Sequence, residues 1–124
     1  MLNKAILQHY QHAHHEKLDE SEVYDAYKIF FGTMVSESRL KIINLLRKNK
    51  KNVSEIIKEL NMDQTAVSHD LARLKRCGFV TAERNGKFIF YKLNEKTINP
   101  LMSLIDNHMS QYCIHILETI KGEK

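Results

Sequence analysis

Polar and cationic side chains recur at intervals of three and four residues between Gln64 and Arg76. Glutamine can pair with adenine, serine and threonine hydroxyls can bond to bases or phosphates, and arginine can neutralise a phosphate. This spacing places side chains on one face of a helix. The segment is therefore predicted to be a helix whose outer face suits a nucleic acid. The outer face carries Thr65, Ser68, His69, Ala72 and Arg76, and the inner face carries Val67, Leu71 and Leu74.

A shorter amphipathic helix precedes this one, and a three-residue turn is predicted to join the two. Asn61 would end the shorter helix in the left-handed conformation. Asp63 would cap the next helix by accepting a hydrogen bond from the free amides of its first turn. Gly78 can end that next helix, because glycine tolerates a positive φ. The apolar positions of the shorter helix are Val53, Ile56, Ile57 and Leu60.

The hydrophobic period becomes alternating after the second helix, and residues 79–84 and 87–93 are predicted to be strands. Asn85 and Gly86 between them predict a tight hairpin turn in which both residues have positive φ. Two helices followed by a hairpin predict a winged helix-turn-helix. The second helix of the pair would then lie in the major groove of DNA.

Helices are also predicted on both sides of this unit. Apolar residues spaced by three and four predict a helix over 21–34, and Ser36 is the expected N-cap of the next helix. Asn99 would cap a last helix with Pro100 at its first position, and this helix would continue to about Ile120. The predicted fold class is mostly α with a small β-hairpin.

Basic charge is concentrated in the middle of the chain. Residues 36–92 hold 13 Lys and Arg against 6 Asp and Glu, a net of +7, whereas the whole chain has a net of +4. A basic block of this kind suits a phosphate backbone. We expect the lysines of the polar connector 48–52 and the hairpin tip around Asn85 to reach phosphates. The predicted DNA contacts are Gln64, Thr65, Ser68, His69, Arg73, Arg76, Arg84 and Lys87.

The length of 124 residues corresponds to one domain, with a histidine-rich arm over 1–20 and the winged helix over 21–124. The two cysteines, Cys77 and Cys113, are too few for a disulfide framework. No signal peptide or apolar stretch of about 18 residues is recognisable, so we expect a cytoplasmic protein without membrane contact. No glycine-rich phosphate loop or nucleophile elbow is present, which argues against an enzyme.

Three stretches resemble the ArsR–SmtB family of metal-responsive repressors. They read Ser-Arg-Leu-Lys-Ile-Ile at 38–43, Met-Asp-Gln-Thr-Ala-Val-Ser-His-Asp-Leu-Ala-Arg-Leu at 62–74 and Cys-Gly-Phe-Val at 77–80. The resemblance extends over about residues 22–121. It implies a homodimeric repressor of double-stranded operator DNA, with the first and last helices at the dimer interface. The positions that match the family's usual base and phosphate contacts are Gln64, Thr65, Ser68 and His69.

The resemblance also implies where a regulatory metal would bind. One family site places thiolates in the helix before the recognition helix. The aligned positions here are Asn52 and Ser54, which are not thiolates, and this site is therefore excluded. A second family site lies on the last helix, with the pattern Asp-x-His, ten residues, then His-x-x-Glu or His.

This sequence offers Asp106 and His108, then six residues, then His115 and Glu118. The gap is four residues short, but seven and eleven residues are each close to whole helical turns and return to nearly the same face. In an antiparallel pair of last helices, the four ligands of two subunits could still face one another. Imidazole and carboxylate suit zinc, cobalt or nickel as a regulatory ligand, with no metal required for the fold.

Other interpretations of the sensing chemistry stay open at this point. The histidines of the last helix could instead form hydrogen bonds across the dimer interface. The regulator could be thiol- or redox-responsive through Cys77 and Cys113, or have no inducer. The winged helix could also be a protein-interaction module. The histidines that could complete a six-coordinate nickel or cobalt site, or form only an exposed polar arm, are His9, His12, His14 and His15.

Overall fold

A computed structural model describes Ile6 and residues 19–122 of the chain. Apart from Ile6, Asp19 and Glu20, the predicted arm lies outside the described residues, and so do its four histidines. The helices are α1 (Glu20–Met34), α2 (Glu37–Leu46), α3 (Val53–Leu60), α4 (Gln64–Arg76), α5 (Ile98–Gln111) and α6 (Cys113–Gly122). The strands are β1 (Lys51–Asn52), β2 (Val80–Asn85) and β3 (Phe88–Leu93).

Local side-chain chemistry begins and ends the central helices where the sequence predicts. Ser36 Oγ accepts a hydrogen bond from the backbone N–H of Arg39 at 3.3 Å and caps α2. Asp63 accepts one from the N–H of Ala66 at 3.1 Å and caps α4. Asn61 ends α3 with φ 51° and ψ 49°, a left-handed conformation that asparagine tolerates. The predicted helix-turn-helix is confirmed.

The predicted hairpin belongs to a three-stranded antiparallel sheet in the order β1-β3-β2. The polar connector 48–52, for which no strand is predicted, contributes β1 to this sheet, with Lys51 opposite Tyr91. A strand of two residues is too short to show an alternating pattern. Its pairing with β3 holds it in place, and no local pattern in the connector predicts that pairing.

The hairpin turn lies one residue later than predicted. Asn85 pairs with Phe88, so the two turn residues are Gly86 and Lys87. Gly86 has φ 64°, but Asn85 does not have the positive φ that the prediction required, and neither does Lys87. A glycine followed by a residue of ordinary φ is the pattern of a type II′ turn, in which only the first turn residue needs positive φ.

The start of the last helix also differs from the prediction. α5 begins at Ile98, and Thr97, not Asn99, occupies the N-cap position without a side-chain capping bond. The reason is a polar turn built by Asn94. Its side-chain oxygen accepts hydrogen bonds from the backbone N–H groups of Lys96 at 3.0 Å and Thr97 at 3.2 Å. This turn directs the chain into the helix earlier than the Asn-Pro signal indicates.

The predicted single last helix is two helices. Tyr112 separates α5 from α6 with φ −127° and ψ −72°, which lies outside the helical region. No glycine or proline lies within residues 107–117, so no helix-breaking residue marks this point in the sequence. The expectation of a continuous helix to about Ile120 was therefore wrong.

The core lies between the central helices and the sheet. The predicted inner face of α4 is confirmed, because Val67 and Leu74 are fully buried and Leu71 is 1% exposed. No helix in the described part of the chain combines the length and the apolarity needed to cross a bilayer. The other fully buried apolar residues of this core are Ile42, Ile43, Ile56 and Phe79.

Candidate functional site

The outer face of α4 is exposed from its first residue to its last. None of its polar side chains forms a hydrogen bond or an ion pair with another described residue. Their donors and acceptors are therefore free for a partner in solution. We call this face the recognition row; it consists of Gln64, Thr65, Ser68, His69, Ala72 and Arg76.

Arg73, another predicted DNA contact, does not belong to this row. Its side chain is half-buried, and its Nε donates a hydrogen bond to Thr33 Oγ1 at 2.9 Å. Thr33 is a fully buried residue of α1, and its hydroxyl donates to the carbonyl of Ile29 at 2.7 Å. Arg73 therefore joins α4 to α1 and is placed at a helix junction.

A buried carboxylate holds the inner side of α4. Asp70 is 8% exposed and accepts a hydrogen bond from Ser38 Oγ at 2.6 Å. Its other oxygen lies 3.3 Å from a terminal nitrogen of Arg39. The Nε of Arg39 also donates to the carbonyl of Thr33 at 2.7 Å. These bonds connect α4 with the start of α2 and the end of α1.

This network is absent from the predicted site, although the sequence carries a signal for it. Asp70 lies three residues after Val67 and one before Leu71, within the apolar face of the predicted helix. A carboxylate in such a position must find a cationic or hydrogen-bonding partner when it is buried. The helical pattern shows that a partner is required, but it does not identify Arg39.

The wing tip remains open to solvent. Arg84 and Lys87 are exposed on either side of the turn, as required for contact with a DNA backbone. The Nε of Arg84 donates to the carbonyl of Gly86 at 3.3 Å, which orients the guanidinium along the tip. The Nζ of Lys87 lies 5.6 Å from the centre of the Phe88 ring.

The connector lysines are less available than the sequence indicates. Lys50 lies 2.7 Å from a carboxylate oxygen of Glu83, and Lys51 lies 2.9 Å from one of Glu59. The hydrogen bond and the positive charge of Lys50 lower the pKa of the Glu83 carboxyl below its ordinary value. Both lysines therefore tie the connector to its neighbours, and their charge is partly compensated.

The four predicted metal ligands lie on two separate helices. Asp106 and His108 belong to α5, and His115 and Glu118 belong to α6, beyond the break at Tyr112. Nδ1 of His115 lies 3.5 Å from a carboxylate oxygen of Glu118, so this pair is already close. Across residues 19–122, no three potential ligands converge within one chain. The break also removes the expectation that a seven-residue spacing keeps both pairs on one helical face.

The other half of the predicted site has different neighbours. An oxygen of Asp106 lies 2.7 Å from a terminal nitrogen of Arg47. The ring of His108 packs against that of Tyr112, with centroids 4.7 Å apart. At the excluded thiolate site, Asn52 caps α3 by accepting a hydrogen bond from the N–H of Glu55 at 2.9 Å.

Both cysteines are free thiols in different surroundings. Cys77 is half-buried after the end of α4, and its Sγ lies 3.2 Å from Thr33 Oγ1. Because that hydroxyl already donates to a carbonyl, the Cys77 thiol is the donor in this contact. Cys113 is exposed at the start of α6.

Exposed apolar side chains are concentrated on α1 and on the two last helices. Large exposed apolar surface on a monomer often marks a site of interaction with another protein. These side chains together are referred to below as the apolar helix face. Its members on α1 and just after it are Tyr24, Tyr27, Phe31 and Val35, and those on and between α5 and α6 are Leu104, Tyr112, Ile116, Leu117 and Ile120.

The fold and the recognition row define the class of protein. A helix-turn-helix with a solvent-exposed second helix, followed by a β-hairpin wing, is the architecture of transcription regulators that bind DNA. Residues 36–82 match the model of the family described as bacterial regulatory protein, arsR family.

Comparison with individual relatives agrees with that match. The chain is 30% identical over 77 residues to the transcriptional activator HlyU of Vibrio cholerae, an alignment that covers 62% of this chain and 71% of HlyU. It is 33% identical over 72 residues to the transcriptional repressor SmtB of Mycobacterium tuberculosis, covering 58% of this chain and 53% of SmtB.

Solved structures share the architecture. Reduced HlyU superposes with a TM-score of 0.62 at 27% identity, covering 75% of this chain and 95% of HlyU. A homodimeric winged helix-turn-helix DNA-binding domain from Mycobacterium bovis superposes with a TM-score of 0.72 at 23% identity. That superposition covers 81% of this chain and 93% of the domain, and at this identity it shows a shared fold alone. The chain belongs to the ArsR family of bacterial regulatory proteins, and it is a transcription regulator and not an enzyme.

Proposed function

We propose that this protein is a homodimeric repressor that binds operator DNA through α4 and releases it when a divalent metal binds near the last helices. The observation that carries the DNA-binding part is the recognition row, whose polar side chains have no partner among the described residues. The buried Arg39–Asp70 pair beneath this row supports the proposal, since it holds α4 in a defined position.

In this proposal α4 lies in the major groove. Gln64 is at its N-terminal end, where recognition helices contact bases, and it can pair with adenine. Ser68 and His69, one turn further on, contact bases or phosphates. Arg84 and Lys87 contact the backbone beside the minor groove, since both are exposed at the wing tip. Arg73 contributes through the guanidinium nitrogens that its bond to Thr33 leaves free.

Dimerisation through α1 and the last helices is supported by the apolar helix face. Tyr112 is 57% exposed and Ile116 is 60% exposed, values that a second copy of the same face would reduce. A two-fold axis buries the same patch on both subunits. It would also set the two α4 helices about one DNA turn, or roughly 34 Å, apart.

We infer that the protein represses transcription and does not activate it, although of the two named relatives HlyU is an activator and SmtB a repressor. A dimer bound over a promoter blocks the polymerase by occupancy alone. That mechanism requires only the DNA interface and the dimer interface, both of which are supported by surfaces of this chain.

The proposed inducer is zinc, cobalt or nickel, held by Asp106, His108, His115 and Glu118. The donor set supports this proposal, because imidazole nitrogen and carboxylate oxygen suit these ions. The 3.5 Å approach of His115 to Glu118 supports it further, since that pair is already close enough to share one ion. Because the two halves do not converge in one chain, the complete site requires both subunits.

A bound metal would tie the last helices of two subunits together. Asp106 and His108 of one subunit would join His115 and Glu118 of the partner subunit around one ion. The ion supplies a charge of +2 and a cross-link that favours one dimer geometry. If that geometry separates the α4 helices unsuitably, DNA affinity falls, and DNA weakens metal binding by the same factor.

The test uses the full chain freed of metal and duplexes selected from a random pool. Affinity for a selected duplex is measured by fluorescence anisotropy over a series of salt concentrations, with and without cobalt(II). We expect the logarithm of affinity to fall linearly with the logarithm of salt, because phosphate contacts release counterions. We also expect weaker binding when cobalt is present.

Two results would overturn parts of the proposal separately. Failure to enrich any duplex would contradict DNA binding and favour a protein-interaction module. Operator affinity that does not change with zinc, cobalt or nickel would contradict the metal response. Sensitivity to an oxidant in that case, lost in Cys113→Ser, would favour a thiol-responsive regulator, and insensitivity would favour one without an inducer.

A further inference from the structure

One ion pair connects the proposed metal-binding helix to the DNA-binding unit. A terminal nitrogen of Arg47 lies 2.7 Å from Oδ2 of Asp106 on α5. Arg47 is the C-cap residue of α2, and it also donates a hydrogen bond to Asn44 at 3.1 Å. Its side chain is 24% exposed, and that of Asp106 is 46% exposed. The guanidinium is thus anchored on α2 and reaches across to α5.

The anchored end of this pair belongs to the body that positions α4. The residues of α2 that pack into the core include Ile43, which is fully buried. The opposite end of α2 carries Arg39, whose ion pair with Asp70 holds α4. One short helix therefore bears both the contact to the recognition helix and the contact to α5.

The metal proposed above needs the same carboxylate. A divalent ion that approaches Asp106 meets a carboxylate already neutralised by a guanidinium at hydrogen-bond distance. The metal ion and the Arg47 guanidinium then share the one negative charge of Asp106. Because the two positive charges repel each other, the binding of each to Asp106 weakens that of the other. Metal binding and the Arg47 contact should therefore oppose each other.

We propose that Arg47 is the residue that couples the metal site to the DNA-binding unit, by competing with the metal for Asp106. With no metal bound, Arg47 adds a contact between α2 and α5 and favours the DNA-binding arrangement. With metal bound, Asp106 turns to the ion, and this contact between α2 and α5 is lost. This inference rests on the proposed metal response and adds the contact through which it acts.

The size of the effect follows from the exposure of the pair. Partly exposed ion pairs contribute up to about 1 kcal/mol, which corresponds to about a fivefold change in an equilibrium constant. Loss of the guanidinium should therefore tighten metal binding by about three- to fivefold. It should also weaken DNA binding by the metal-free protein by a similar factor, and the difference between metal-free and metal-bound DNA affinity should shrink.

The experiment compares the unsubstituted 124-residue chain with Arg47→Gln, Arg47→Lys and Lys50→Gln. Lys50→Gln is a matched control for the cobalt titration, because it removes one positive charge and an ion pair of the same 2.7 Å length without touching α5. Cobalt(II) affinity is measured by optical titration, and DNA affinity by anisotropy with a chelator present and with saturating cobalt. Thermal melting monitored by circular dichroism verifies that each variant is folded.

We expect Arg47→Gln to bind cobalt about three- to fivefold more tightly than the unsubstituted protein. Lys50→Gln should leave cobalt affinity unchanged, and Arg47→Lys should restore most of the original behaviour. Equal cobalt affinities for Arg47→Gln and Lys50→Gln, with cobalt bound in both, would overturn this inference and leave the metal response standing. A protein that binds no cobalt at all would overturn both.

Discussion

Arg39 and Asp70 form an ion pair of 3.3 Å between the start of α2 and the inner side of the recognition helix. Ser38 donates to the other carboxylate oxygen at 2.6 Å, so both oxygens of Asp70 are occupied. The face of α4 that would meet DNA and the face that carries this carboxylate lie on opposite sides of the same helix. The orientation of the recognition row therefore depends on a polar contact within an otherwise apolar interface.

Asp70→Asn should destabilise the protein by about 2–3 kcal/mol, because the change leaves the Arg39 guanidinium without its counter-charge in a largely buried position. Urea unfolding of the two proteins measures the difference. Asp25→Asn is the matched control, since it breaks an exposed pair with Lys28 and should cost less than about 0.5 kcal/mol. Equal losses for the two variants would show that the buried pair has no special role.

Gln64→Ala and Ser68→Ala should each weaken binding to a selected duplex by about 1–3 kcal/mol, because each removes a hydrogen-bonding group from the recognition row. Discrimination at one base position should fall in parallel. Ser103→Ala makes the same change on α5, where the hydroxyl bonds, among the described residues, to the carbonyl of Asn99 alone, and should leave DNA binding unchanged. Competition between matched and single-mismatch duplexes provides the measurement. If Ser68→Ala behaves like Ser103→Ala, Ser68 does not contact the duplex.

Arg84→Ala and Lys87→Ala should reduce affinity for all duplexes alike, since backbone contacts carry no sequence information. Each should also reduce the slope of log affinity against log salt by about 1. Lys121→Ala, near the end of α6, removes the same charge away from the wing and should leave the slope unchanged. A salt slope that stays constant in both wing variants would exclude the tip from the interface.

His108→Ala and His115→Ala should keep DNA binding and lose the cobalt response, because each removes one imidazole ligand from the proposed site. The absorption spectrum of cobalt(II) bound to the unsubstituted protein should show weak d–d bands without a thiolate charge-transfer band. Cys113→Ser, which changes an exposed neighbour of the site, should leave that spectrum intact. A strong thiolate band that disappears in Cys113→Ser would instead assign the metal to sulfur, and a full response in His108→Ala would exclude the proposed ligand set.

The Lys50–Glu83 pair should contribute stability at neutral pH and lose it on acidification. Lys50 lowers the pKa of Glu83 in the folded protein, so the folded state binds a proton less readily than the unfolded state. The contribution is present above the unfolded value of about 4.3 and is lost as the pH falls through the lower folded value. Denaturant unfolding of the unsubstituted protein and Lys50→Gln between pH 7 and pH 3 should show their difference shrinking at the acid end. A difference that stays constant over that range would contradict the assigned cause.

Sequence signals that act over a few residues predict the structure correctly where one local conformation satisfies them. Asp63 caps α4 and Asn61 ends α3, because each residue needs only its neighbours in the chain to do so. The predicted hairpin turn is one residue too early, because its position depends on pairing between two strands and not on neighbouring residues alone. Both candidate turns contain Gly86, and the pairing of Asn85 with Phe88 across the two strands decides between them.

The candidate site likewise has one part that local sequence signals predict and another that depends on tertiary packing. The recognition row follows from the helical period and the inner apolar stripe, and the exposure of Ser68 and His69 agrees with it. Arg73 has the same residue type and helix as Arg76, yet it bonds to Thr33, forty positions earlier in the chain. Only the packing of α1 against α4 brings these two side chains together.

By itself, the amino-acid sequence determined the class of fold, the helix-turn-helix, the wing and the face of α4 that meets solvent. Periodicity, capping and charge are local properties, and the residue order expresses them directly. The tertiary structure decided which charges are paired, including Arg39 with Asp70 and Arg47 with Asp106. It also decided that the last helix breaks at Tyr112 without a glycine or proline. These features arise from contacts between segments that are distant in the chain. The energies of those contacts depend on how the helices pack, and no short stretch of sequence encodes that packing.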